Sequence, residues 1–501
     1  MLSFISFKRC HVARMTLPAA GWLLFPNQLH AQYTPPPARG PFSGFINEWA
    51  RKDSPDFNSW DFGGAARSRV EIKDGFAVPG SAGSVDFRAR GADVDNQYLL
   101  ERIRAHVGYS NTSFGAYLEG QSSLAANDER YAYVNTANVI GTQTRRGGGP
   151  ESDSIDLHQA YVTVGGPKEF PVTLKLGRQI LAYGDERLVG AFDWNNIGRT
   201  FDAAKLRFQQ DGFSADLFTA HPVIPEEGRF DVSNEYDWFS GLYVTLNKIP
   251  KNSLELYFFS RNSSPQAINA EPSPQFPQPT ARDIYTIGGR LKSAPGQLTN
   301  FDYTIEGAYQ LGNFRPTATS PRLNQEAFAA IVQGGYTFVN APAKPRLGLE
   351  YDYSSGDRNP TDGTHGTFDN LFPTNHKFYG YMDFLSLQNI HDVRGIFQLR
   401  PLARLSIALE GHGFWLADTH DYFYNVAGVP RTTGGYGIHP NYSSFLGTEV
   451  DLIAGYALTR FAQLEAGYGH FFTGRYIDQS LAATGGSKDA NYVYLQLNLI
   501  F

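Results

Sequence analysis

The sequence predicts an all-β fold, a transmembrane antiparallel β-barrel of about eighteen strands, and three observations carry that prediction. In the last ten residues, Tyr492 to Phe501, the side chains of Val493, Leu495, Leu497, Leu499 and Phe501 fall on one face of a strand, and those of Tyr494, Gln496 and Asn498 on the other. Runs with the same period of two recur along the chain, joined by connections that alternate between short and long. The composition is 14% aromatic with 51 glycines, 3 methionines and a mean hydropathy of −0.34, which suits aromatic girdles and tight turns better than a conventional core. No stretch after Phe25 approaches the roughly 18 apolar residues of a helical span. A backbone in hydrocarbon must satisfy its own hydrogen bonds, and a closed ring of strands does so without any continuous apolar run.

In chain order, residues 1–31 read as a secretory signal: a basic start (Lys8, Arg9, Arg14), an apolar stretch from Met15 to Phe25, and a small-residue exit at Ala31 before Gln32. The single cysteine, Cys10, lies inside this segment. A chain without it has no thiol, which excludes disulfides, zinc–cysteine sites and a cysteine nucleophile. Its loss also moves the formal net charge from −6 to about −9, which argues against nucleic acid as a partner. Residues 32–59, with Pro35-Pro36-Pro37 and the mixed run Ile46 to Lys52, show no clear period. They read as a periplasmic extension that tucks into the barrel mouth, and residues 60–501 as the barrel.

The strands are expected at about 62–73, 98–110, 113–123, 155–165, 171–180, 201–209, 212–220, 237–247, 253–262, 283–294, 300–312, 325–338, 344–355, 389–400, 402–415, 445–458, 461–474 and 489–501. Asn111-Thr112, Gly166-Pro167, Asp211-Gly212, Pro250-Lys251-Asn252, Pro295-Gly296, Pro342-Ala343, Pro401 and Thr459-Arg460 mark the short connections. The long ones span about 74–97, 124–154, 181–200, 221–236, 263–282, 313–324, 356–388, 416–444 and 475–488. Short turns on one side and long loops on the other are the asymmetry of outer-membrane barrels. A ring this wide cannot be filled by strand side chains, so loops or water must occupy its lumen.

Alternation also assigns side chains to faces. Arg67, Arg69 and Glu71 lie opposite Ala66, Val70 and Ile72; Arg102, Arg104 and His106 lie opposite Ile103, Ala105 and Val107. Lys205 and Arg207, Arg290 and Lys292, and Arg394 and Arg400 are likewise placed inward, as are Glu119, Glu255, Asp302, Glu306, Glu350, Asp352, Glu410, Glu449, Asp451 and Glu465. The acids concentrate in the later strands, so one wall should be basic and the facing wall more acidic, an arrangement that suits anionic solutes. The plainer reading is a set of salt bridges that solvates the wall and pins strand register. Arg67, Arg69, Arg102 and Arg104 sit on neighbouring strands, where like charges repel, so Glu71, loop carboxylates or a bound anion must compensate them.

Three stretches carry a family pattern. Gly177-Arg178-Gln179, then Tyr183-Gly184-Asp185-Glu186-Arg187-Leu188, Asp193-Trp194-Asn195-Asn196 and Gly198-Arg199-Thr200-Phe201-Asp202-Ala203 form the first. The second is Tyr353-Ser354-Ser355-Gly356-Asp357-Arg358 with Thr367-Phe368-Asp369 and Leu371-Phe372-Pro373-Thr374-Asn375-His376-Lys377-Phe378-Tyr379-Gly380; the third is His412-Gly413-Phe414-Trp415-Leu416-Ala417-Asp418. Over roughly residues 60 to 501 the chain resembles the alginate export family of outer-membrane porins. The resemblance implies an eighteen-stranded barrel whose best-known member secretes the polyuronate alginate through an arginine-lined constriction. It also implies that Arg178, Asp185, Arg187, Asp193 and Arg199 sit in or under the long loop after the fifth strand, folded toward the pore. A shared scaffold does not fix a substrate.

No HExxH, Walker loop, dinucleotide-binding glycine fingerprint or GxSxG elbow occurs. Asp418, His420 and Asp421 could form an acid–base set in one loop, and Asp357, Asp362 and Asp369 a calcium site, but ordinary solvated turns explain both. The expectation is therefore a bacterial outer-membrane channel with no catalytic residues, metal or cofactor, passing anionic saccharides or similar small anions. Its expected partners are outer-membrane lipid, lipopolysaccharide and periplasmic secretion components. The alternatives are a general or other substrate-specific uptake porin, and a plugged barrel whose loops act as a surface enzyme or adhesin.

Overall fold

A computed structural model describes residues 44–52, 54–76, 86–128, 151–166, 170–225, 230–264, 281–316 and 320–501. The signal (1–31) and the start of the extension (32–43) lie outside them. Among the described residues eighteen antiparallel strands close into one ring: β1 Trp60–Asp74, β2 Asp95–Ser110, β3 Phe114–Ala126, β4 Asp153–Val164, β5 Val172–Gln179, β6 Phe201–Gln210, β7 Phe213–Ile224, β8 Asp237–Leu246, β9 Ser253–Ser263, β10 Ala281–Leu298, β11 Phe301–Arg315, β12 Leu323–Thr337, β13 Arg346–Ser354, β14 Ile390–Leu402, β15 Leu405–Leu416, β16 Phe445–Ala457, β17 Ala462–Thr473 and β18 Ala490–Ile500. Each strand pairs with its neighbours in sequence, and β18 returns to β1 in the register Ala65↔Ile500 to Asp74↔Asn491. Closure leaves no strand edge, as a span without helices requires.

The alternation has its physical counterpart in exposure. On β18, Leu495 is 51% exposed and Gln496 3%. Leu452, Leu409, Val332, Ile305, Ile287 and Leu242 on other strands form the same apolar outer band. Such a shell would drive aggregation in water, whereas it matches hydrocarbon. Near the rim that carries the short turns, Trp60 stacks on Phe62 at 5.6 Å and meets Tyr109 edge-on at 5.1 Å, a fragment of an interfacial aromatic girdle.

Two short connections differ from expectation. β10 runs through Pro295-Gly296 and turns at Thr299-Asn300, and β14 runs through Pro401 and turns at Ala403-Arg404. Both prolines lie in register irregularities, between Ser293 and Leu298 and between Leu399 and Leu402. Lacking an N–H, each interrupts the ladder locally at the rim without ending the strand. The described part of the extension holds a helix, α1 Phe45–Lys52, against this rim. Phe45 packs on Phe461 and Phe501, while Asn47 donates to Asp61 and accepts from the Phe62 N–H, both at 2.7 Å.

The interior contains an apolar core that alternation did not reveal. Leu181, Leu188 and Val189 from one long loop and Phe368, Phe372, Phe378, Phe384 and Leu387 from another pack against inward Phe218, Phe239, Phe259, Phe414, Phe471 and Tyr494. The long loops thus fold into the ring and bury their own apolar side chains there.

Arginine in place of Leu495, in the middle of β18, should cost about 2–4 kcal/mol of folding into lipid vesicles, read from the heat-modifiable band on a gel. No loss would mean that this face does not meet hydrocarbon.

Candidate functional site

The loop from Ile180 to Thr200 is the strap that crosses the lumen, and its charges fix it to three walls. Asp193 and the carbonyls beside it meet the arginines of β1 and β2. Arg67 donates to the carbonyls of Asp193 (2.7 Å) and Asn195 (3.1 Å), and Arg69 to that of Trp194 (2.9 Å). Arg102 donates to the Asp193 carbonyl at 3.1 Å, and Arg104 reaches the Asp193 carboxylate at 2.8 Å and the Ile197 carbonyl at 3.1 Å. Asp185 pairs with Arg290 and, at 2.7 Å, with Lys292 on β10. Arg187 pairs with Glu350 and Asp352 on β13, both at 2.7 Å.

The local backbone is built for this path. Gly184 (φ +61°) passes beside the Tyr243 hydroxyl and the Arg290 guanidinium, and Gly198 (φ +86°) leaves room for Arg104, whose Nη2 would lie 2.9 Å from a Cβ. Glu186 and Phe192, at φ +67° and +51°, are held left-handed without the benefit of glycine. Glu186 uses its carboxylate to cap the bend, accepting from Ala191 N–H at 3.1 Å and Thr374 Oγ1 at 2.7 Å.

A second loop, residues 355–389, is zipped to the first. Gly190 N–H donates to the Phe372 carbonyl and Phe372 N–H to that of Leu188, at 2.8 and 2.9 Å. Arg199 donates to the carbonyls of Gly190 (3.2 Å) and Pro373 (2.9 Å). The His376 ring stacks on Trp194 at 3.8 Å, and the Arg69 guanidinium lies 3.9 Å from the Trp194 ring centre. Met382 N–H donates to Glu449 at 2.8 Å, and Asp369 pairs with Arg261 and Arg282 on β9 and β10. A third loop, residues 417–444, joins them through Asn375, which donates to the Val426 carbonyl at 2.7 Å.

The electrostatics follow. Desolvation works against the Asp193 charge, but Arg102, Arg104 and Arg67 outweigh it and hold the carboxyl well below its ordinary range, although 45% of the side chain stays open to the lumen. Burial opposes the Asp185 charge too, and Arg290 and Lys292 reverse the effect. Burial first, then the nearby carboxylates of Asp421 and Asp362, push Asp357 up to about 6 against the backbone N–H groups that favour its charge.

Eighteen strands, a lipid-facing apolar band and a strap tied across the lumen define a membrane channel architecture. The profile of the alginate export family matches residues 60–490. The chain belongs to that family. No curated protein matches the chain. Among solved structures, OccAB4 of Acinetobacter baumannii is similar at 10% identity and TM-score 0.55, covering 89% of this chain and 99% of that one. OccAB1 of the same organism is 9% identical at TM-score 0.54, covering 89% and 97%. OpdK of Pseudomonas aeruginosa is 10% identical at TM-score 0.53, covering 88% and 98%. This alginate export family member is thus an outer-membrane β-barrel channel of bacteria.

The structure places the sequence-derived residues unevenly. Arg67, Arg69, Arg102, Arg104, Arg290 and Arg394 point inward and are buried, Arg394 between Glu410 and Glu350. Lys205 and Arg207 point inward and are partly open. Asp185, Arg187, Asp193 and Arg199 lie in the strap. Arg178 does not: it is the penultimate residue of β5, in register with Asp202 on the outward side of the wall, and pairs with that carboxylate at 2.9 Å. Inward Phe201 next to Asp202 fixes this parity. His420 reaches only Asp418 (2.8 Å), because Asp421 is taken by Asp357 N–H, Thr367 and Tyr424. Asp357, Asp362 and Asp369 do not converge either, since Asp369 turns to its arginines and Asp362 caps Thr364. Sequence reading missed Lys377, which lies 3.6 Å from Glu186, and the Trp194–His376 stack, for which no periodic signal exists.

Asp193→Asn should loosen the strap by roughly 1–3 kcal/mol, less any share lost to solvent screening. Faster hydrogen exchange over 191–199, with β1 and β2 unchanged, is the expected reading. The junction between the second and third loops should depend on pH. The raised Asp357 group penalises the folded state above about 6, and the penalty vanishes below the free-aspartate value near 4. Exchange protection at 355–369 should therefore rise as pH falls from 7 to 4, and Asp357→Asn should reduce that dependence, with the buried, likewise raised Asp421 carboxyl retaining the rest.

Proposed function

We propose that this channel passes anionic saccharides, alginate-like polyuronates among them, or similar small anions, by diffusion past a partly basic lumen. The observation that carries the reading is the inward placing of cations on several strands and in the second loop: Arg67, Arg69, Arg102 and Arg104 on β1 and β2, Lys205 and Arg207 on β6, Arg290 on β10, Arg394 on β14, and Lys377 in the second loop. Family membership supports the polyuronate. Cations in such a wall replace part of a carboxylate's hydration, and the carboxylates of β13 to β17 limit its dwell time.

One observation favours a second reading, uptake of small carboxylates. The strap and second loop fill part of the lumen with a packed apolar core, which leaves less room for a polymer. OpdK, similar in fold, was solved with vanillate, a small aromatic carboxylate. A diffusive pore has no built-in direction, so both readings share one mechanism and differ in solute size. Outer-membrane lipid and lipopolysaccharide surround the barrel in either case, and periplasmic secretion components fit only the first.

Planar-bilayer recording of the purified full chain tests the proposal. An open, anion-preferring current, interrupted transiently by millimolar oligouronate, is the expected result. Cation preference, or no current from wild type and Asp193→Asn alike, would overturn it.

A further inference from the structure

The wall closes where β18 meets β1, and at the periplasmic rim the two strands do not end level. Their ladder reaches the rim at Gly64 and Phe501, which exchange both N–H···O bonds at 2.9 Å. β1 begins earlier, so Trp60 to Gly63 run past the last pair with β18. Backbone left over in this way needs partners. Among the described residues α1 supplies them. The Phe62 N–H and the Trp60 carbonyl point to the same side of β1 as the Gly64 groups that meet Phe501. Asn47 Oδ1 accepts from that N–H at 2.7 Å, and Arg51, one helical turn on, donates to that carbonyl and, at 3.1 Å, to the carbonyl of Phe57. Gly44, just before the helix, lies so close to the Phe501 carbonyl oxygen that a Cβ would stand 2.4 Å from it.

These bonds orient the helix. Asn47 and Arg51 face the strand, so Phe45 and Trp49, also four residues apart, share the opposite side. Phe45 shows where that side looks. It packs 5.8 Å from Phe461 and 6.4 Å from Phe501, and the Phe501 ring continues the lipid-facing parity of Leu495 to Leu499, lying over Gly64 on the outside of the wall. Trp49, one turn further, is 77% exposed and Phe45 43%. Phe57, after the helix, meets outward Phe62 edge-on at 6.1 Å and so joins the girdle of Trp60 and Tyr109. Cations fringe the cluster: Arg460 pairs with Glu48 of the helix and lies 4.6 Å from the Phe461 ring centre, and Lys52 is exposed at the helix end.

We propose that α1 is an interfacial helix seated in the periplasmic leaflet. Phe45 and Trp49 enter the boundary between phospholipid headgroups and acyl chains, and Lys52 and Arg460 meet the phosphates. Continuity names the occupant, since Phe45 adjoins a wall whose outer band already matches hydrocarbon. Charge agrees with it, since aromatic rings bordered by cations suit that boundary. An eight-residue helix is too short to persist by itself, and here the end of β1 holds it in shape. The closing seam of the barrel is thereby tied to the membrane, whatever solute the channel passes.

Trp49 reports on the arrangement directly. The refolded full chain and its Trp49→Phe variant are compared in nanodiscs of phosphatidylethanolamine and phosphatidylglycerol, where both membrane faces are accessible, and the fluorescence difference isolates this indole. Lipid brominated next to the headgroup should quench most of that difference, and acrylamide in the water should quench it far less than in the urea-unfolded chain. Heat-modifiable gel mobility checks folding, and Trp49→Tyr serves for the same subtraction should Trp49→Phe not fold. Acrylamide quenching as strong as in the unfolded chain, with no effect of brominated lipid, would place Trp49 in water and overturn the proposal. A difference that neither reagent touches would place it under protein, such as a second copy of the chain, and overturn it as well.

Discussion

A ring of eighteen strands encloses more space than its own side chains can fill, and the interior of this protein is the answer to that constraint. The extracellular loops turn inward and carry apolar residues of their own, Leu188, Phe372 and Phe384 among them, onto inward aromatics of the wall. A loop folded in this way brings backbone N–H and C=O groups into a space where they must find partners. The arginines of β1 and β2 supply donors for the strap carbonyls, and the two loops pair with each other through Val189 and Phe372.

This changes the meaning of the inward charges. Buried ion pairs contribute little net stability against apolar alternatives, but losing one partner is costly, so they act best as devices that specify one arrangement. Asp185, Arg187 and Asp193 each face a different wall, and a strap displaced along the lumen would leave buried charge unmatched at all three. The four arginines of β1 and β2 are therefore first the anchorage of the strap, and a solute that passes them meets cations already hydrogen-bonded to backbone.

How far the sequence spoke follows the same physics. The lipid-facing face was legible because every second residue must be apolar; Val493, Leu495, Leu497 and Leu499 announce it without reference to anything else in the chain. The inward faces of Arg67, Arg102 and Glu350 were legible as parity, but their partners were not, because Asp193 meets Arg104 across 89 residues and Arg187 meets Glu350 across 163. Pro295 and Pro401 misled because a proline stops the ladder only where the next N–H is needed, and rim residues can do without it. Arg178 misled because the family pattern runs unbroken from β5 into the strap, while the pleat reverses direction at every residue. Inward aromatics such as Phe239, Tyr243 and Phe259 alternate as apolar residues do anywhere, and nothing local says which side holds lipid.

The strap also sets what can move. Its bends at Glu186 and Phe192, and those of the second loop at Leu371 and Asp383, use left-handed backbone without glycine, a conformation that persists only where the surroundings hold it. Those surroundings are the Asp193 cluster, the Glu186–Thr374 contact and the Trp194–His376 stack. The first ties the strap to β1 and β2, and the other two join the strap to the second loop, so weakening either of those two relaxes both loops together. The narrowing is thus best regarded as one jointly held unit, and the strands around it, closed into a ring with no edge, have no comparable freedom.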